Sequence, residues 1–254
     1  MKGECGMRTK GRIAVITGAG SGIGKATALT LAREGSAVVA SDINLHSAEK
    51  VADEIKAGGG NGLAVMTDVA SKGDMTRLIE TTLEKLGRVD IMVNNAGIGS
   101  TTPIEEMTKE EWDRVMDVNL WGGFLGCQTV FKPMKEQRYG KIVNISSLAA
   151  KVGGIIIGIH YSCSKAGVTC MTKSFAKALA PYGVNVNAIC PGPIETPFHS
   201  TTTKEQREGL IKSTPLGKFG EPEDIAETIL FLVSDSARHI TGEIIDVNGG
   251  MLMD

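Results

Sequence analysis

Two side chains in the second half of the chain, Tyr161 and Lys165, have the types and spacing of an acid/base pair. Residues four apart lie on one face of a helix, so the ammonium group can approach the phenol. A phenol with its ordinary pKa of about 10 is a poor base at neutral pH, but a nearby ammonium favours the phenolate and lowers that pKa. We therefore expect Tyr161 to exchange a proton with the oxygen of an alcohol or a carbonyl group.

A serine hydroxyl is predicted to lie close to this pair. Ser147 follows a predicted strand over residues 142–145, and its hydroxyl could hydrogen-bond the reacting oxygen as charge develops there. The adjacent Ser146 is an alternative, and strand alternation places the two side chains on opposite faces.

A glycine-rich turn, residues 17–24, follows the first predicted strand and opens a helix. Such a turn presents backbone N–H groups and the positive end of the helix dipole to a phosphate. The turn departs from the pattern G-x-G-x-x-G and matches T-G-x-x-x-G-x-G instead. The alternative is a tight connection that binds nothing. The candidate phosphate-binding residues are Gly18, Ser21, Gly22, Ile23 and Gly24.

Asp42, at the end of the second predicted strand, indicates which dinucleotide would bind. Its carboxylate can accept hydrogen bonds from both hydroxyls of an adenosine ribose and would repel the 2′-phosphate of NADP. Residues 40–45 contain no Lys or Arg that could neutralise that phosphate. We therefore expect NAD in preference to NADP. The alternative role of Asp42 is an N-cap of the next helix.

The ends of the third and fourth predicted strands extend this cofactor site. Asp68 and Val69 could hold the adenine edge, and Asn95, Ala96 and Gly97 would let the backbone pass close to the cofactor. Turn chemistry alone also places polar residues at strand ends.

Short Val/Ile/Ala-rich runs alternate with longer amphipathic stretches along the whole chain. Runs of this kind predict strands buried on both faces, and the alternation predicts an α/β fold, a doubly wound parallel sheet with helices on both faces. The predicted strands cover residues 13–16, 37–40, 63–66, 91–93, 142–145, 184–189 and 244–247, and the predicted helices cover residues 24–33, 48–56, 75–86, 110–134, 162–180 and 222–232.

Length and composition predict one domain, residues 11–254, after a disordered leader of residues 1–10.

The net charge of −2 and the lack of a long basic run argue against nucleic acid or an acidic membrane surface as partners, so small molecules are expected. The five cysteines form no C-x-x-C pair, and the four histidines lack metal-ligand spacing, so neither a disulfide framework nor a metal site is predicted. No apolar window could span a membrane, which makes a cytoplasmic location the expectation.

Two segments are predicted to shape a substrate pocket. Residues 191–220 form a proline-rich irregular stretch at the carboxyl edge of the sheet, and we expect a mobile lid there; an inert loop is the alternative. Residues 152–159 are unusually apolar and lie between Ser147 and Tyr161, so they favour a pocket wall for a partly apolar substrate. Burial of this stretch against a helix or another subunit is equally open.

These motifs together resemble the short-chain dehydrogenase/reductase family over roughly residues 10–250. The resemblance implies a single Rossmann-type domain, usually a homotetramer, that interconverts secondary alcohols and ketones with a nicotinamide cofactor. It rests on Thr17-Gly-x-x-x-Gly-x-Gly24, Asn94-Asn-Ala-Gly97, Asn119, Ser147, Tyr161-x-x-x-Lys165 and Pro191-Gly192.

The resemblance also implies roles for individual residues. Tyr161 would be the general acid/base, Ser147 would orient the substrate oxygen, and Lys165 would bind the nicotinamide ribose. Asn119 would hold a water molecule that links Lys165 to solvent. The segment that contacts the nicotinamide end would comprise Pro191, Gly192, Ile194 and Thr196.

Three alternatives to a dehydrogenase of apolar alcohols remain. A 3-ketoacyl thioester reductase of this family generally uses NADPH and docks an acidic carrier protein on basic residues; Arg138 matches one such position, but Tyr182 stands where a second Arg is expected. A sugar dehydrogenase is the second. The third is a sensor or scaffold that binds NAD(H) without turnover, against which the four intact site residues argue.

Overall fold

Seven strands form one parallel sheet in the order β3-β2-β1-β4-β5-β6-β7 in a computed structural model, which describes residues 7–154, 156–200 and 202–253. Their Val-, Ile- and Ala-rich sequences are those of strands covered on both faces. The strands are β1 (Ile13–Thr17), β2 (Ala37–Asp42), β3 (Asn61–Met66), β4 (Ile91–Asn94), β5 (Gly140–Ile145), β6 (Val184–Pro191) and β7 (Ile244–Val247).

Helices cover both faces of this sheet. One core cluster includes Leu31 and Ile229, and the other includes Leu78 and Leu125, all four side chains being fully buried. The predicted doubly wound α/β fold is therefore confirmed. The helices are α1 (Gly22–Arg33), α2 (Leu45–Ala57), α3 (Lys72–Leu86), α4 (Lys109–Met116), α5 (Gly122–Gln137), α6 (Ala149–Val152), α7 (Ile159–Leu179), α8 (Lys204–Ser213) and α9 (Pro222–Val233).

The strand order reverses at β1, which pairs with β2 on one side and with β4 on the other. Ala14 of β1 stands opposite Val38 of β2 and Ile91 of β4. In open α/β sheets, ligands bind beyond the carboxyl ends of the strands at such a switch point. The glycine-rich turn after β1 and the Asn-Asn-Ala-Gly segment after β4 meet there.

Two helical predictions differ from the structure. The predicted helix over residues 110–134 is interrupted by a π-helical turn, Asp117–Trp121, between α4 and α5. The stretch 191–220, predicted to be irregular, contains α8. This helix has no buried residue and therefore lacks an apolar period; its signal is the capping box of Thr203 and Gln206.

The beginning of the described chain is ordered, which corrects the predicted leader of residues 1–10. Thr9 is fully buried, and its N–H and its hydroxyl both donate to the Glu34 carbonyl, at 3.1 and 3.0 Å. The predicted disorder is therefore wrong for residues 7–10, and residues 1–6 lie outside the described residues. Within the part of the chain that the structure describes, no helix is long and apolar enough to cross a membrane.

Candidate active site

A cleft of about 990 Å³ runs along the carboxyl edge of the sheet and brings the two predicted halves of the site together. All the predicted site residues line it except Gly24 and Asn119. They are Gly18, Ser21, Gly22, Ile23, Asp42, Asp68, Val69, Asn95, Ala96, Gly97, Ser147, Tyr161, Lys165, Pro191, Gly192, Ile194 and Thr196.

The glycine-rich turn has the shape that a phosphate cradle needs. Gly18 and Gly22 adopt φ values of +63° and +50°, which favour glycine. A Cβ atom on Gly24 would lie 2.6 Å from Asn95 Nδ2, so this residue lets the turn pack against the end of β4 instead of facing the cleft. Ser21, the N-cap of α1, makes no side-chain capping hydrogen bond. The N–H groups of the first turn of α1 therefore fit a pyrophosphate.

Asp42 closes one end of this cradle. Its Oδ2 accepts a hydrogen bond from Gly20 N, and its Oδ1 accepts one from Asn44 N, both at 2.9 Å. The N-cap of α2 is Asn44, whose Oδ1 accepts from Ser47 N at 3.2 Å. The alternative role of Asp42 as the N-cap is therefore wrong, and each of its carboxylate oxygens keeps acceptor capacity for a hydroxyl in the cleft.

The segment after β4 is tied to the end of β1. Thr17 Oγ1 accepts from the N–H groups of Asn95 and Ala96, at 3.1 and 3.2 Å, and Asn95 Nδ2 donates to the Thr17 carbonyl at 2.9 Å. A Cβ on Gly97 would come within 3.2 Å of Lys165 Nζ. A side chain at position 97 would therefore crowd the Lys165 ammonium.

Asn119 lies behind the cleft wall, in the π-helical turn, and is 3% exposed. Its Oδ1 accepts from Ile98 N at 2.8 Å, while its Nδ2 donates to the Ile98 carbonyl at 2.9 Å and to Ser164 Oγ at 3.0 Å. The side chain thus fixes the segment that follows β4, at Ile98, against α7. Asn119 is a positioning residue in this geometry, and its predicted contact with a water molecule stays a prediction.

The two serines after β5 have different roles. Ser146 Oγ is buried and donates to the carbonyl of Lys165 at 2.9 Å, which anchors the start of α7 to the sheet. Ser147 hydrogen-bonds the side chain of Tyr161. Of the two candidates, Ser147 is therefore the hydroxyl positioned to share a substrate oxygen with Tyr161.

The pKa values of the acid/base pair correct the sequence-based expectation. Burial raises the pKa of Tyr161 to about 12, against which the hydrogen bond with Ser147 acts only in part. Burial also lowers the pKa of Lys165 to about 8. The predicted lowering of the Tyr161 pKa by Lys165 is wrong in this geometry, because the amine donates to the Ile145 carbonyl at 2.8 Å and is itself poorly solvated as a cation.

The end of the cleft beside Tyr161 is apolar. The ring of Phe198 lies 5.5 Å from that of Tyr161, centroid to centroid. A Cβ on Gly99 would lie 2.7 Å from Ile157 Cδ1 and 3.0 Å from Phe198 Cζ, so this wall is closely packed. The predicted wall over residues 152–159 contributes Val152, Gly153, Gly154, Ile156 and Ile157; Ile155 lies outside the described residues.

The segment 191–220 covers this end of the cleft. Two backbone hydrogen bonds connect the beginning of this segment to its end: Glu195 N donates to Gly220 O at 2.8 Å, and Gly220 N donates to Pro193 O at 3.0 Å. Arg207 of α8 forms an ion pair with Glu195. Movement of this lid stays a prediction.

A buried polar cluster joins the loop after β4 to the start of α7. His160 is fully buried, and its Nε2 lies 3.1 Å from Ser100 Oγ and 3.5 Å from Glu111 Oε1. The Ser100 carbonyl accepts from Gly158 N at 2.8 Å. Hydroxyl and carboxylate both contact Nε2, whereas a nucleophilic triad needs them on opposite ring nitrogens. The cluster therefore supports the cleft wall instead of forming a second catalytic site.

Several lining residues were not predicted from the sequence. Some of them come from the lid, from α4 and from the last residues of the chain, and these belong to no local motif. This group includes Arg114, Phe198, His199, Leu210 and Met251. Only the helical spacing of Arg114 and Val118, four residues apart, could have indicated a shared face.

Comparisons with known proteins agree with this geometry. Residues 18–252 match a family model described as "Enoyl-(Acyl carrier protein) reductase". The chain is 41% identical over 247 residues to 3-oxoacyl-[acyl-carrier-protein] reductase FabG of Thermotoga maritima, with 97% of this chain and 100% of that protein covered. It is 39% identical to (2S)-[(R)-hydroxy(phenyl)methyl]succinyl-CoA dehydrogenase subunit BbsD of Thauera aromatica, with 96% and 98% covered.

A solved structure shows the same fold. A short-chain type dehydrogenase/reductase from Mycobacterium marinum superposes with a TM-score of 0.94 at 33% identity, with 98% of each chain covered. The chain therefore belongs to the short-chain dehydrogenase/reductase family, whose members are oxidoreductases that use a nicotinamide cofactor.

Proposed function

We propose that this protein interconverts a 3-oxoacyl thioester and the corresponding 3-hydroxyacyl thioester, with NAD(H) as its cofactor. The observation that carries the proposal is the meeting of Tyr161 and Ser147 with a closely packed apolar wall at one end of the cleft. A 3-oxoacyl thioester is a ketone with an apolar chain. It is therefore one kind of the partly apolar alcohol or ketone substrate that the sequence predicts.

The similar proteins support the thioester. One is named for a substrate on acyl carrier protein and the other for a substrate on CoA, and both acyl groups are carried as thioesters. Val152, Ile157 and Phe198 offer an acyl chain apolar contacts that a sugar could not use. We therefore favour an acyl thioester over a sugar or a small ketone.

Asp42 supports NAD(H) over NADP(H). The carboxylate lines the cleft at the end of β2 and is held there by Gly20 N and Asn44 N. A 2′-phosphate next to it would bring like charges together, and no Lys or Arg follows Asp42 before α2 begins. The NADPH expected of a ketoacyl thioester reductase is thus disfavoured by this residue.

The chain's own residues explain how the carbonyl oxygen would be handled. A bound nicotinamide cofactor supplies or accepts the hydride. Because the pKa of Tyr161 is raised to about 12, its hydroxyl stays protonated at neutral pH and can donate to the oxygen of a ketone as that oxygen gains charge. Ser147 holds the same oxygen by a second hydrogen bond. The apolar wall at Phe198 and Ile157 excludes water from the reacting atoms.

The test follows NADH oxidation at 340 nm with 3-oxoacyl-CoA and 3-oxoacyl-carrier-protein substrates, simple ketones and sugars, using wild type, Tyr161→Phe and Tyr182→Phe. Tyr182 is a matched control, because its ring packs against Lys135 outside the cleft, 4.6 Å from Nζ to the centroid. We expect thioester turnover that falls by about 10²–10⁴-fold in Tyr161→Phe and is unchanged in Tyr182→Phe.

Other outcomes would overturn parts of the proposal. If simple ketones are reduced and 3-oxoacyl thioesters are not, the thioester proposal is wrong and the substrate belongs to the broader class of secondary alcohols and ketones. NADH binding without turnover of any substrate would favour the sensor. The homotetramer and the cytoplasmic location expected from the sequence remain predictions, and light scattering of the purified protein tests the first.

A further inference from the structure

Arg114 differs from every other arginine of the chain. It is exposed on α4 and lines the cleft, yet its guanidinium has no hydrogen bond, ion pair or aromatic ring contact with any residue that the structure describes. Each of the other arginines has at least one partner; Arg207, for example, pairs with Glu195, and Arg88 with Asp90. The unpaired arginine thus stands in the functional cleft and not elsewhere on the surface.

The acidic neighbours of Arg114 on α4 are turned to other partners. Asp113 pairs with Lys109 at 2.5 Å, and Glu111 accepts from the hydroxyls of Ser100 and Thr102. Glu110, one helical turn before Arg114, forms no ion pair with it among the described residues. The five N–H donors of the guanidinium are therefore free for a ligand.

The position of Arg114 lies between the two ends of the cleft. Val118, four residues later in the π-helical turn, also lines the cleft, and the start of α5 packs against the segment that follows β3: a Cβ on Gly122 would lie 2.9 Å from Val69 Cγ2. On the other side, Thr101 belongs to the loop that is tied to Gly158 before Tyr161. Arg114 can thus meet groups from either the adenosine end or the substrate end.

We propose that Arg114 binds a phosphate group of a ligand in this cleft. A guanidinium matches a phosphate with paired hydrogen bonds and stays charged at every physiological pH. Phosphate reaches the cleft from two sources: the carrier of the acyl thioester, CoA or phosphopantetheine, and the diphosphate of the dinucleotide. The substrate source rests on the proposed function, whereas the dinucleotide source rests only on the nicotinamide cofactor of the family.

The experiment measures dissociation constants by calorimetry for NADH and, with NADH saturating, for CoA. It compares wild type with Arg114→Ala, Arg114→Lys and Lys109→Ala, the last of which removes a charge from the same helix outside the cleft. We expect Arg114→Ala to weaken one ligand about tenfold, Arg114→Lys to recover part of that loss, and Lys109→Ala to change neither constant. The affected constant should also lose part of its salt dependence.

The ligand that is weakened identifies the source of the phosphate. A weaker CoA constant alone assigns Arg114 to the thioester carrier, and a weaker NADH constant alone assigns it to the dinucleotide. If both constants stay within about twofold of wild type, or if Lys109→Ala shifts them as much as Arg114→Ala, the proposal is wrong. The two dissociation constants do not depend on turnover. A lack of thioester reduction would therefore refute the proposed function, whereas the phosphate contact of Arg114 is decided by the dissociation constants alone.

Discussion

Lys165 Nζ donates to the carbonyl of Ile145 at 2.8 Å, and it lies 5.7 Å from the centroid of the Tyr161 ring. The ammonium is thus held at the end of β5, behind the phenol that it was expected to activate. Lys165 is 4% exposed, and burial lowers its pKa to about 8. Both members of the acid/base pair are consequently shifted toward their neutral forms.

The lowered pKa of Lys165 predicts a pH-dependent stability. The unfolded chain holds this proton up to its ordinary pKa of 10.5, whereas the folded chain releases it near 8, so the unfolding free energy rises with pH between those values. Tyr161, whose pKa is raised from 10.0 to about 12, lowers stability only above pH 10. Lys165→Met should therefore exceed wild type in stability at pH 7, and the difference should shrink between pH 8 and 10 by up to about 1 kcal/mol per pH unit.

Urea unfolding of wild type and Lys165→Met at pH 7, 8, 9 and 10 measures this difference. Lys173→Met, on the exposed face of α7, controls for the loss of a lysine. A difference between wild type and Lys165→Met that stays constant from pH 7 to 10 would contradict the lowered pKa.

The charge of Asp42 is predicted to determine the choice of dinucleotide. Asp42→Asn keeps an oxygen that can accept from Gly20 N but removes the negative charge, so kcat/KM with NADPH should rise at least about tenfold relative to NADH. Asp53→Asn, on the exposed side of α2, is the control. Equal ratios in wild type and Asp42→Asn would show that the carboxylate does not select the cofactor.

Phe198 is predicted to limit the acyl chain. Its ring packs 5.5 Å from that of Tyr161, so Phe198→Ala should open the apolar end and shift the preference in kcat/KM toward longer or branched 3-oxoacyl chains by about one to two orders of magnitude. Phe231→Ala is the matched control, because Phe231 is 40% exposed and Phe198 41%, but only Phe198 lines the cleft. An unchanged chain-length profile would remove Phe198 from the substrate wall.

Two glycines in helices are predicted to respond oppositely to alanine. A Cβ on Gly126 of α5 would lie 2.7 Å from Asn94 Cγ, within the buried pair in which Asn94 Nδ2 donates to Asn144 Oδ1 at 2.8 Å. Gly126→Ala should therefore lower the unfolding free energy by about 1–3 kcal/mol. Gly209 of α8 has open space around it, so Gly209→Ala should raise that energy by up to about 1 kcal/mol. Urea unfolding measures both, and a neutral Gly126→Ala would show that the asparagine pair can move.

Local sequence patterns were sufficient to predict the architecture and most of the motifs that line the cleft. The alternation of apolar runs and amphipathic stretches predicted the strands and the doubly wound sheet, because burial on both faces demands such runs. Motifs at strand ends predicted the cleft, since the carboxyl ends of parallel strands meet at one edge. A helix with no buried residue, α8, left no apolar period and was missed.

The kind of chemistry could be predicted from the chain alone, because the residue types at the strand ends and the shared helix face of Tyr161 and Lys165 follow from local spacing. Packing between distant elements was needed to distinguish Ser146 from Ser147, to show that the pKa of Tyr161 is raised and not lowered, and to place Arg114 in the cleft. Spacing along the chain specifies the direction of a side chain within one element, whereas its burial depends on elements distant in sequence that pack around it. The pKa and the partners of a group follow from that burial.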